Sequence, residues 1–560
     1  MHSVFRHRML PVAIAAVVFF LISLSASLVK SPIWDEPYHI AAGLSYVETG
    51  RIVINQQHPP LLKEISGLFL RAAGVRWPAN SPPLEAMMNG AVAEQTGIRI
   101  ITENGPGRVL FWARLPFLLF GAGLVFVLYR FGLELAGRGA ALGAVFLYAL
   151  DPIMLGNAAF VATDVGLAFF VILFLLTFWR YLQKPGTLRL VWCGLALGGM
   201  MSAKFSAVAM LPAALLLVVA ASVWPVEPRA ATLVPGPETR WNTVLRRFFR
   251  YGLALAGMCL VAAAVIQYVY LLPKDPLQYI AGIRLVNADH RAGYQFYMAG
   301  HFARRFYSYY AVAWLLKAPL AAILATGVGL VAIVRNKRVP RLARVFLLLP
   351  PAALFAGYSL FSDNLGVRYI IPVLPFLHLL GGVGLAALFA GTGRSGKWLG
   401  GVLCAWMAVA AVGIYPDQLT YFNEAACLPD NPSNAGLDGG SRCGPAWLDD
   451  SNIDWAQGVK QLKAWIDKNA QGRPVRIGYF GSFPPAVYGL NVGLSDSADL
   501  LEGVKPGLYA VSGQILAHAR EPGPGHGAWL LRARPVAVVG HVYYIYEVPG
   551  PPRAGEDAPK

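Results

Sequence analysis

Eleven stretches of mostly apolar residues, most of them long enough to cross a lipid bilayer, are distributed over residues 10–414. A helix needs about 20 such residues to span the roughly 30 Å hydrocarbon layer. Only 14% of the 560 residues are charged, against about 25% in an ordinary soluble protein. We therefore predict an α-helical polytopic membrane protein with about eleven transmembrane helices, of which the third and fifth are short. The predicted spans are Leu10–Val29, Val109–Tyr129, Gly139–Ile153, Val165–Tyr181, Leu190–Ala203, Val208–Val223, Tyr251–Leu272, Tyr310–Val334, Val345–Leu360, Tyr369–Ala390 and Trp398–Ile414.

The positions of lysine and arginine predict the orientation of these spans, because short cytoplasmic loops retain basic residues. If the N-terminus is inside, the basic loops 130–138, 180–189 and 335–344 are also inside, and the odd number of spans puts the C-terminus outside. The first span is interpreted as an uncleaved anchor because many more spans follow it. The formal net charge of +17 then reflects topology, which argues against a nucleic-acid partner. We expect a membrane domain over residues 1–415, with a large outside loop at 30–108, and an outside-facing domain over 416–560.

The tail, residues 416–560, has the pattern of a small α/β domain. A helix-like stretch at Trp455–Asn469 is followed by alternating, strand-like runs at Val475–Phe480, Gly507–Ser512 and Val536–Val548. The last twelve residues, PGPPRAGEDAPK, are rich in proline, glycine and charge, so we predict that they are disordered.

The five cysteines divide by their position in the chain. Cys193, Cys259 and Cys404 fall inside predicted spans and are expected to be buried apolar residues. Cys427 and Cys443 both lie in the tail, sixteen positions apart. An oxidising compartment lets such a pair form a disulfide, and two free thiols are the alternative.

Two adjacent carboxylates, Asp35 and Glu36, come a few residues after the first span. At the edge of the bilayer, partial desolvation raises the proton affinity of a carboxylate, which suits it to act as a general base on a hydroxyl or an amine. An acidic helix N-terminus is the alternative, because Asp and Glu before the helical run Ile40–Val47 are favoured by the helix dipole. The residues alone leave both interpretations open.

His58 and Asp164 are two further candidates on the same predicted face of the membrane. His58 precedes two prolines, which stiffen the backbone and fix the direction of its side chain; a rigid helix start with an incidental histidine is the alternative. Asp164 lies at the outer end of a predicted span. It either caps the next helix or approaches the pocket that contains Asp35.

Two cations, Lys204 and Arg368, lie on the face where the distribution of basic residues predicts none. Either side chain is explained by snorkelling towards the membrane surface. The functional interpretation is a phosphate clamp, in which arginine supplies a bidentate fork and lysine a mobile point charge.

Several segments, taken in order along the chain, resemble the C-type (GT-C) membrane glycosyltransferases, and among them the protein O-mannosyltransferases and the aminoarabinose transferases that act on lipid A. The segments are WDEPYHIAAGLSYVETG, QQHPPLLKEISGLFL, ATDVGLAFF, SAKFSA, YYAVAWLLKAPL, GVRYIIPVLP, YFNE and WLDDSNIDWAQGVKQLKAW. The resemblance implies a GT-C fold in a bacterial member of the family. It also implies an enzyme of the outer face of the cytoplasmic membrane that moves a sugar from a polyprenyl-phosphate carrier to a protein, lipid or glycan acceptor, with inversion at the anomeric carbon.

The resemblance also implies roles for individual residues. Asp35 is the expected catalytic carboxylate, with Glu36 beside it and Asp164 as a second acid. Lys204 and Arg368 are expected to hold the donor phosphate. The residues expected to contact the rest of the substrate are His58, Tyr38 and Tyr369.

Some features leave alternatives open. The loop Pro273–Tyr309 is too short for the β-trefoil insertion of eukaryotic protein O-mannosyltransferases, so the acceptor is not fixed. Ala456 stands where the resemblance predicts glycine, and the roles of the nearby residues Asp450, Asn452 and Asp454 stay open between the site and structural capping. A divalent cation bound by Asp35, Glu36 and His58 is a further open alternative, although no ligand spacing requires one.

The main competing function is a transporter or flippase for a lipid-linked sugar. That class is typically built from inverted repeats with polar residues at mid-membrane, whereas the ionisable residues singled out here concentrate at one face. A membrane-anchored assembly protein is the third hypothesis, and it would not need a carboxylate at Asp35.

Overall fold

The computed structural model describes residues 2–225, 240–288, 293–336, 339–429, 431–491, 500, 505–521 and 527–549. Most of these residues are helical, and the strands among them are short. The helices are α1 (His2–Val29), α2 (Glu36–Thr49), α3 (Leu61–Ala72), α4 (Gly90–Glu103), α5 (Pro106–Ala136), α6 (Arg138–Ala149), α7 (Pro152–Ala158), α8 (Thr163–Gln183), α9 (Thr187–Ala203), α10 (Met210–Val223), α11 (Arg240–Val269), α12 (Gln278–Ala288), α13 (Tyr309–Lys317), α14 (Leu320–Arg335), α15 (Arg341–Phe361), α16 (Leu374–Ala390), α17 (Arg394–Gly413), α18 (Val459–Asn469) and α19 (Gly513–His518). The strands are β1 (Phe296–Met298), β2 (His301–Ala303), β3 (Val475–Gly478), β4 (Gly507–Ser512), β5 (Ala537–Val539) and β6 (Tyr543–Val548).

The apolar helices coincide with the eleven predicted spans. Within the described ranges, seven helices are long and apolar enough to cross a membrane singly: α1, α5, α8, α10 with the short turn before it, α11, α15 and α17. Two further pairs, α6 with α7 and α13 with α14, qualify together but bend by 58° and 114°. The helices α9 and α16 are shorter and apolar. The predicted fold class, a helical membrane protein with a small sheet near its C-terminus, is therefore confirmed.

Proline explains both bends, which were not predicted. Pro152 and Pro319 stand at the two breaks, and a proline disfavours helical geometry in the residue that precedes it. At the first break Asp151 takes an extended conformation, and its Oδ1 accepts a hydrogen bond from the backbone nitrogen of Ile153 (2.8 Å). The chain thus restarts as a new helix in a new direction.

Small residues allow α6, α14 and α16 to pack with their backbones in contact. A Cβ atom on Gly329 would lie 1.7 Å from the carbonyl oxygen of Leu380, and one on Gly382 would lie 2.2 Å from that of Ala140. Close backbone approach of this kind is a usual way for helices to associate in lipid, where there is no hydrophobic gain from association.

The first loop, 30–108, forms the helices α2, α3 and α4. Buried Lys63 of α3 holds the segment that leads into this helix, because its Nζ donates to the carbonyl oxygens of Asn55 (2.7 Å) and His58 (2.8 Å). Burial lowers the pKa of Lys63 well below its ordinary value. Pro59 and Pro60 then start α3 at Leu61. The position of His58 is therefore fixed on both sides.

The tail contains the predicted α/β structure. A four-stranded sheet has the order β3-β4-β6-β5, in which β3 and β4 are parallel and the other neighbours are antiparallel. The central strand β4 is buried on both faces: Leu508 and Ala510 pack in the cluster that includes α18, and Tyr509 and Val511 pack in the cluster on the other face. The alternating pattern at Gly507–Ser512 reflects these two apolar faces.

Two predicted boundaries in the tail are wrong. The helix predicted at Trp455–Asn469 begins only at Val459, because Ala456 has a φ of 76°, which no helix accommodates. The run Val536–Val548 is two strands, since Gly540 and His541 both have positive φ values and turn the chain between β5 and β6. The C-terminal end that we predict to be disordered lies outside the described residues apart from Pro549.

The cysteines follow the prediction in part. Cys427 and Cys443 are joined by a disulfide. Cys193 is buried as expected, whereas Cys404 is half-buried and Cys259 is exposed. Cys259 lies on α11, only a small part of which is covered by the rest of the protein.

Candidate functional site

A buried ion pair fixes the start of the first loop. Both carboxylate oxygens of Glu36 accept from Arg114 of α5, at 2.7 Å from Nε to Oε1 and 2.6 Å from Nη2 to Oε2. Glu36 also accepts from the backbone nitrogens of Ile33 (3.0 Å) and Val161 (3.0 Å). Glu36 is fully buried and Arg114 is 1% exposed. The loop after α1 is thereby tied to α5 and to the segment before α8.

Asp35, the neighbour of Glu36, points the other way, into a cavity of about 260 Å³. The side chains that line this cavity come from α2, the segment before α3, the start of α8, the end of α9 and the segment before α16. They include seven of the eight predicted catalytic and substrate-contacting residues: Asp35, Tyr38, His58, Asp164, Lys204, Arg368 and Tyr369.

Two ion pairs face each other in this cavity. Nη1 of Arg368 lies 3.0 Å from Oδ2 of Asp35, and Nζ of Lys204 lies 2.6 Å from Oδ1 of Asp164. The ring of Tyr369 is in contact with both cations, 4.7 Å from Nζ of Lys204 and 5.5 Å from Cζ of Arg368. The cavity therefore brings two carboxylates and two cations together with aromatic surface.

The backbone on each side of Arg368 explains its position. Arg368 lies in a short 3-10 helix, Val367–Ile370, that follows Gly366. Gly366 has a φ of 128°, and a Cβ there would lie 2.1 Å from Oγ of Ser451, so this turn needs glycine. Asn452 holds the same turn from the tail, because its Oδ1 accepts from the backbone nitrogen of Val367 (2.9 Å).

The guanidinium of Arg368 keeps part of its hydrogen-bonding capacity. Its Cζ lies 4.1 Å from the ring centroid of Trp455, and its Nε is buried without a partner among the described residues. Burial alone would lower the pKa of Arg368, but the charges of Asp35, Tyr369, Asp164 and Asp450 together outweigh it and raise the pKa. The guanidinium of Arg368 is therefore a permanent cation, and its Nε–H is available to donate a hydrogen bond to a ligand.

Two imidazoles border the same space. Nδ1 of His39 lies 3.0 Å from the carbonyl oxygen of Val161, and the ring centroids of His39 and His58 lie 5.3 Å apart. Burial, and then the charge of His39, lower the pKa of His58 well below its ordinary value. Burial also lowers the pKa of His39. At neutral pH both rings are neutral, so they act as hydrogen-bonding groups and add no positive charge to the cavity.

The structure does not support a catalytic role for Glu36. Its carboxylate lies outside the cavity and is committed to Arg114 and two backbone nitrogens. Asp35, Glu36 and His58 were the side chains considered for a divalent cation. Of these, Glu36 already binds Arg114. Among the described residues there is no group of three or more His, Cys, Asp and Glu side chains with the geometry to hold a metal ion.

Several residues of the cavity were not singled out from the sequence. His39 and Gln57 line it, and so does Asn55, whose side-chain oxygen and nitrogen are both buried without a partner among the described residues. Asn55 has a φ of 52°, a conformation in which asparagine is enriched. The only signal in the sequence was their place beside the motifs quoted for Asp35 and His58.

A second cavity, of about 230 Å³, adjoins the first. The two share Gln57, His58, Lys204 and Tyr369 as wall residues. The second cavity has four apolar wall residues, from α12, the end of α15 and the turn after Lys204, and three polar ones: Phe205, Ile283, Val286 and Phe361, with Ser206, Ser362 and Asp363. A ligand with a polar and an apolar part would find both kinds of surface side by side.

The tail residues whose role the sequence left open have structural partners. The side-chain nitrogen of Asn452 donates to the hydroxyl of Tyr309 (2.9 Å), and Oδ1 of Asp454 accepts from the backbone nitrogen of Ala456 (2.7 Å). Burial raises the pKa of Asp450 to about 6 and that of Asp454 to about 7. None of the three lines the first cavity.

One comparison with known protein families agrees with the resemblance noted in the sequence. A model of the family described as dolichyl-phosphate-mannose-protein mannosyltransferase matches residues 98–232. None of the curated proteins matches the chain by sequence.

Solved structures of two proteins are among the structural matches. ArnT from Cupriavidus metallidurans bound to undecaprenyl phosphate is 15% identical, with a TM-score of 0.48, over 97% of this chain and 99% of the other. The archaeal oligosaccharyltransferase AglB from Archaeoglobus fulgidus, in complex with an inhibitory peptide and a dolichol-phosphate, is 13% identical, with a TM-score of 0.42, over 82% of this chain and 58% of the other. Over residues 98–232, a range that contains Asp164 and Lys204, the chain is similar to the dolichyl-phosphate-mannose-protein mannosyltransferase family, and this match confirms the resemblance to membrane glycosyltransferases.

Proposed function

We propose that the protein is a glycosyltransferase that takes a sugar from a polyprenyl-phosphate carrier and passes it to a protein, lipid or glycan acceptor at the outer face of a bacterial cytoplasmic membrane. The observation that carries the proposal is the single cavity in which Asp35 and Arg368 lie 3.0 Å apart beside the pair of Lys204 and Asp164. A carboxylate and two cations at one membrane boundary are the groups that this chemistry needs. The family match over residues 98–232 supports the same class of reaction.

In the proposed reaction, an oxygen or nitrogen atom of the acceptor attacks the anomeric carbon of the donor sugar. The bond between this carbon and the phosphate oxygen breaks, and both of its electrons leave with the polyprenyl phosphate. Asp35 accepts the proton that the nucleophile loses and later releases it to water. Because the nucleophile and the leaving phosphate are on opposite sides of the carbon, the configuration inverts.

Arg368 and Lys204 are proposed to stabilise the negative charge that develops on the leaving phosphate. A preorganised donor of this kind typically contributes about 3–4 kcal/mol to the transition state. The phosphate competes with Asp35 for the guanidinium, and the unpaired Nε of Arg368 gives it a further donor. Binding of the donor then leaves the Asp35 carboxylate free to take the proton.

The two adjoining cavities suggest where the parts of the donor lie. We place the sugar and phosphate in the first, in contact with Tyr38, His58 and Tyr369, and the start of the prenyl chain against Ile283 and Val286 in the second. Asp164, held by Lys204, is proposed to orient the acceptor.

The test is the release of free polyprenyl phosphate from a panel of polyprenyl-phosphate sugars, with a crude envelope extract as the source of acceptor. We expect the wild type to release it from one donor. Asp35→Asn should lose at least about a hundredfold in rate, because the acceptor's nucleophile then has no carboxylate to take its proton. Glu103→Gln, an exposed carboxylate of the same loop, is the matched control and should keep the wild-type rate.

The experiment also separates the enzyme from a flippase. Movement of an intact lipid-linked sugar across a vesicle membrane, with no phosphate released from any donor in the presence of the extract, would refute the transferase. Equal release by the wild type and Asp35→Asn would refute the assigned base and leave the reaction class standing.

A further inference from the structure

A third polar cavity, of about 600 Å³, lies at the other end of the helices that carry the candidate site. Asp164 is in the first turn of α8 and Arg180 is in its last turn, so the two are about 24 Å apart along the helix axis. This separation is close to the thickness of the hydrocarbon layer. The third cavity is therefore at the opposite membrane boundary. Its walls are Arg130, Glu134, Thr177, Arg180, Gln183, Leu188, Arg189 and Trp192.

Positive charge predominates in this cavity. Arg180 pairs with Glu134, at 2.6 Å from Nη2 to Oε1. Nη1 of Arg189 donates only to neutral acceptors, the carbonyl oxygens of Arg180 and Lys184, both at 3.0 Å. Arg130 has no hydrogen bond or ion pair with any residue in the described part of the chain. Three guanidinium groups thus face one carboxylate.

The rim of the cavity is apolar on the side of α9. Leu188 and Trp192 are 70% and 58% exposed, and Leu195, the next residue on the same helix face, is 39% exposed. Residues spaced by four and three positions form one stripe along a helix, and tryptophan is enriched where a span meets the membrane surface. An apolar stripe beside a cationic cavity is complementary to an anionic lipid, which has a negatively charged head group joined to apolar acyl chains.

We propose that this cavity binds the phosphate of an anionic membrane lipid, with Arg130 and Arg189 as its ligands and an acyl chain along Leu188, Trp192 and Leu195. Basic pockets between transmembrane helices are recurrent binding sites for such head groups. Simple snorkelling of the arginines is a weaker explanation, because two of the three are hydrogen-bonded within the protein and all of them border one cavity. The proposal does not depend on the reaction proposed for the other membrane face.

The test is native mass spectrometry of the full-length protein released from nanodiscs that contain equal amounts of phosphatidylglycerol and phosphatidylcholine. We expect the wild type to retain phosphatidylglycerol with a clear preference, and Arg130→Gln to lower that preference about fivefold, the effect of one arginine close to a lipid phosphate. The matched control is Arg138→Gln, which removes an exposed arginine at the start of α6 that does not line the cavity. The control should keep the wild-type preference.

A second measurement reports on the site directly. Brominated phosphatidylglycerol should quench the tryptophan fluorescence of the wild type more than that of Trp192→Phe. In proteins that also carry Arg130→Gln, this difference in quenching should be smaller. Inorganic phosphate added to the protein in detergent without anionic lipid identifies the source of the ligand. Retention of inorganic phosphate by the wild type under these conditions would assign the site to a soluble anion and refute the lipid. Equal retention of the two lipids by the wild type, or an equal loss in Arg130→Gln and Arg138→Gln, would also overturn the proposal.

Discussion

Nη2 of Arg114 lies 2.6 Å from Oε2 of Glu36, and the two side chains form a buried ion pair directly behind the candidate site. Glu36 follows Asp35 in the chain, so the pair determines the position of the neighbouring carboxylate that faces the cavity. The two acids of one motif have different tasks: one holds the loop and the other is available for chemistry.

Glu36→Gln should therefore destabilise the fold without removing the reactive group. Breaking a buried pair on one side leaves an uncompensated charge and typically costs about 3–5 kcal/mol. We expect the midpoint of thermal unfolding of the detergent-solubilised protein to fall well below that of the wild type. Asp35→Asn, whose side chain is partly exposed, should unfold close to the wild type. A Glu36→Gln variant that is inactive yet as stable as the wild type would contradict this assignment.

Arg368→Lys tests whether the geometry of the cation matters as well as its charge. Lysine keeps the positive charge but loses the planar fork and the stacking on Trp455. If the fork stabilises the leaving phosphate, we expect a loss of about a hundredfold in kcat, with a smaller change in KM. The surface variant Arg304→Gln should behave as the wild type in the same assay. A change in KM alone would mean that Arg368 only binds the donor.

The membrane-boundary argument and the family resemblance together predicted the composition of the first cavity. Asp35, His58, Asp164, Lys204 and Arg368 all lie in segments predicted at the same membrane boundary, and the structure brings them into one cavity. Adjacent residues cannot be distinguished in this way. Whether Asp35 or Glu36 faces the cavity depends on Arg114, which is seventy-eight positions from Glu36 and inside a predicted span.

Other features depend on contacts that a local pattern does not contain. The stacking of Arg368 on Trp455 joins the membrane helices to the tail, and no periodicity predicts it. The positive φ of Ala456 makes the helix predicted from Trp455 begin four residues later, at Val459. By contrast the two bends in the spans follow from Pro152 and Pro319, which local reasoning would have found if it had been applied inside the apolar windows.

The disulfide predicts a dependence of stability on redox conditions. Cys427 and Cys443 close a loop of about fifteen residues, for which a cross-link contributes about 3 kcal/mol by restricting the unfolded chain. We expect the double variant Cys427→Ala and Cys443→Ala to unfold at a lower temperature than the wild type, and a reductant to lower the midpoint of the wild type but not of the variant. Cys259→Ala serves as the control for loss of a free thiol. A wild-type midpoint unaffected by reductant, with the thiols shown to be free by labelling, would argue against this role.

A charged network, none of whose members lines the first cavity, connects the first loop to the tail. Lys30 forms an ion pair with Asp417, and His541 lies between two carboxylates, with Nδ1 3.0 Å from Asp417 and Nε2 2.9 Å from Asp438. Both ring nitrogens donate only in the imidazolium form. Burial by itself would lower the pKa of His541, but its two carboxylate partners raise it. For Asp417, burial favours the neutral form, and Lys30 and His541 outweigh it, so that its pKa is lowered.

These pKa directions predict how the attachment of the tail depends on pH. Because the pKa of His541 is raised by folding, its contribution to the free energy of unfolding is complete below about pH 6.5, the value in the unfolded chain, and is lost as the pH rises through the folded value. The contribution of Asp417 has the opposite sense and is lost only in strong acid. We expect the thermal midpoint of the wild type to fall between about pH 6 and pH 9 more steeply than that of His541→Asn, which keeps a residue that tolerates the positive φ at this position. Parallel pH profiles for the two proteins would show that His541 is neutral in the folded state and that the network does not hold the tail.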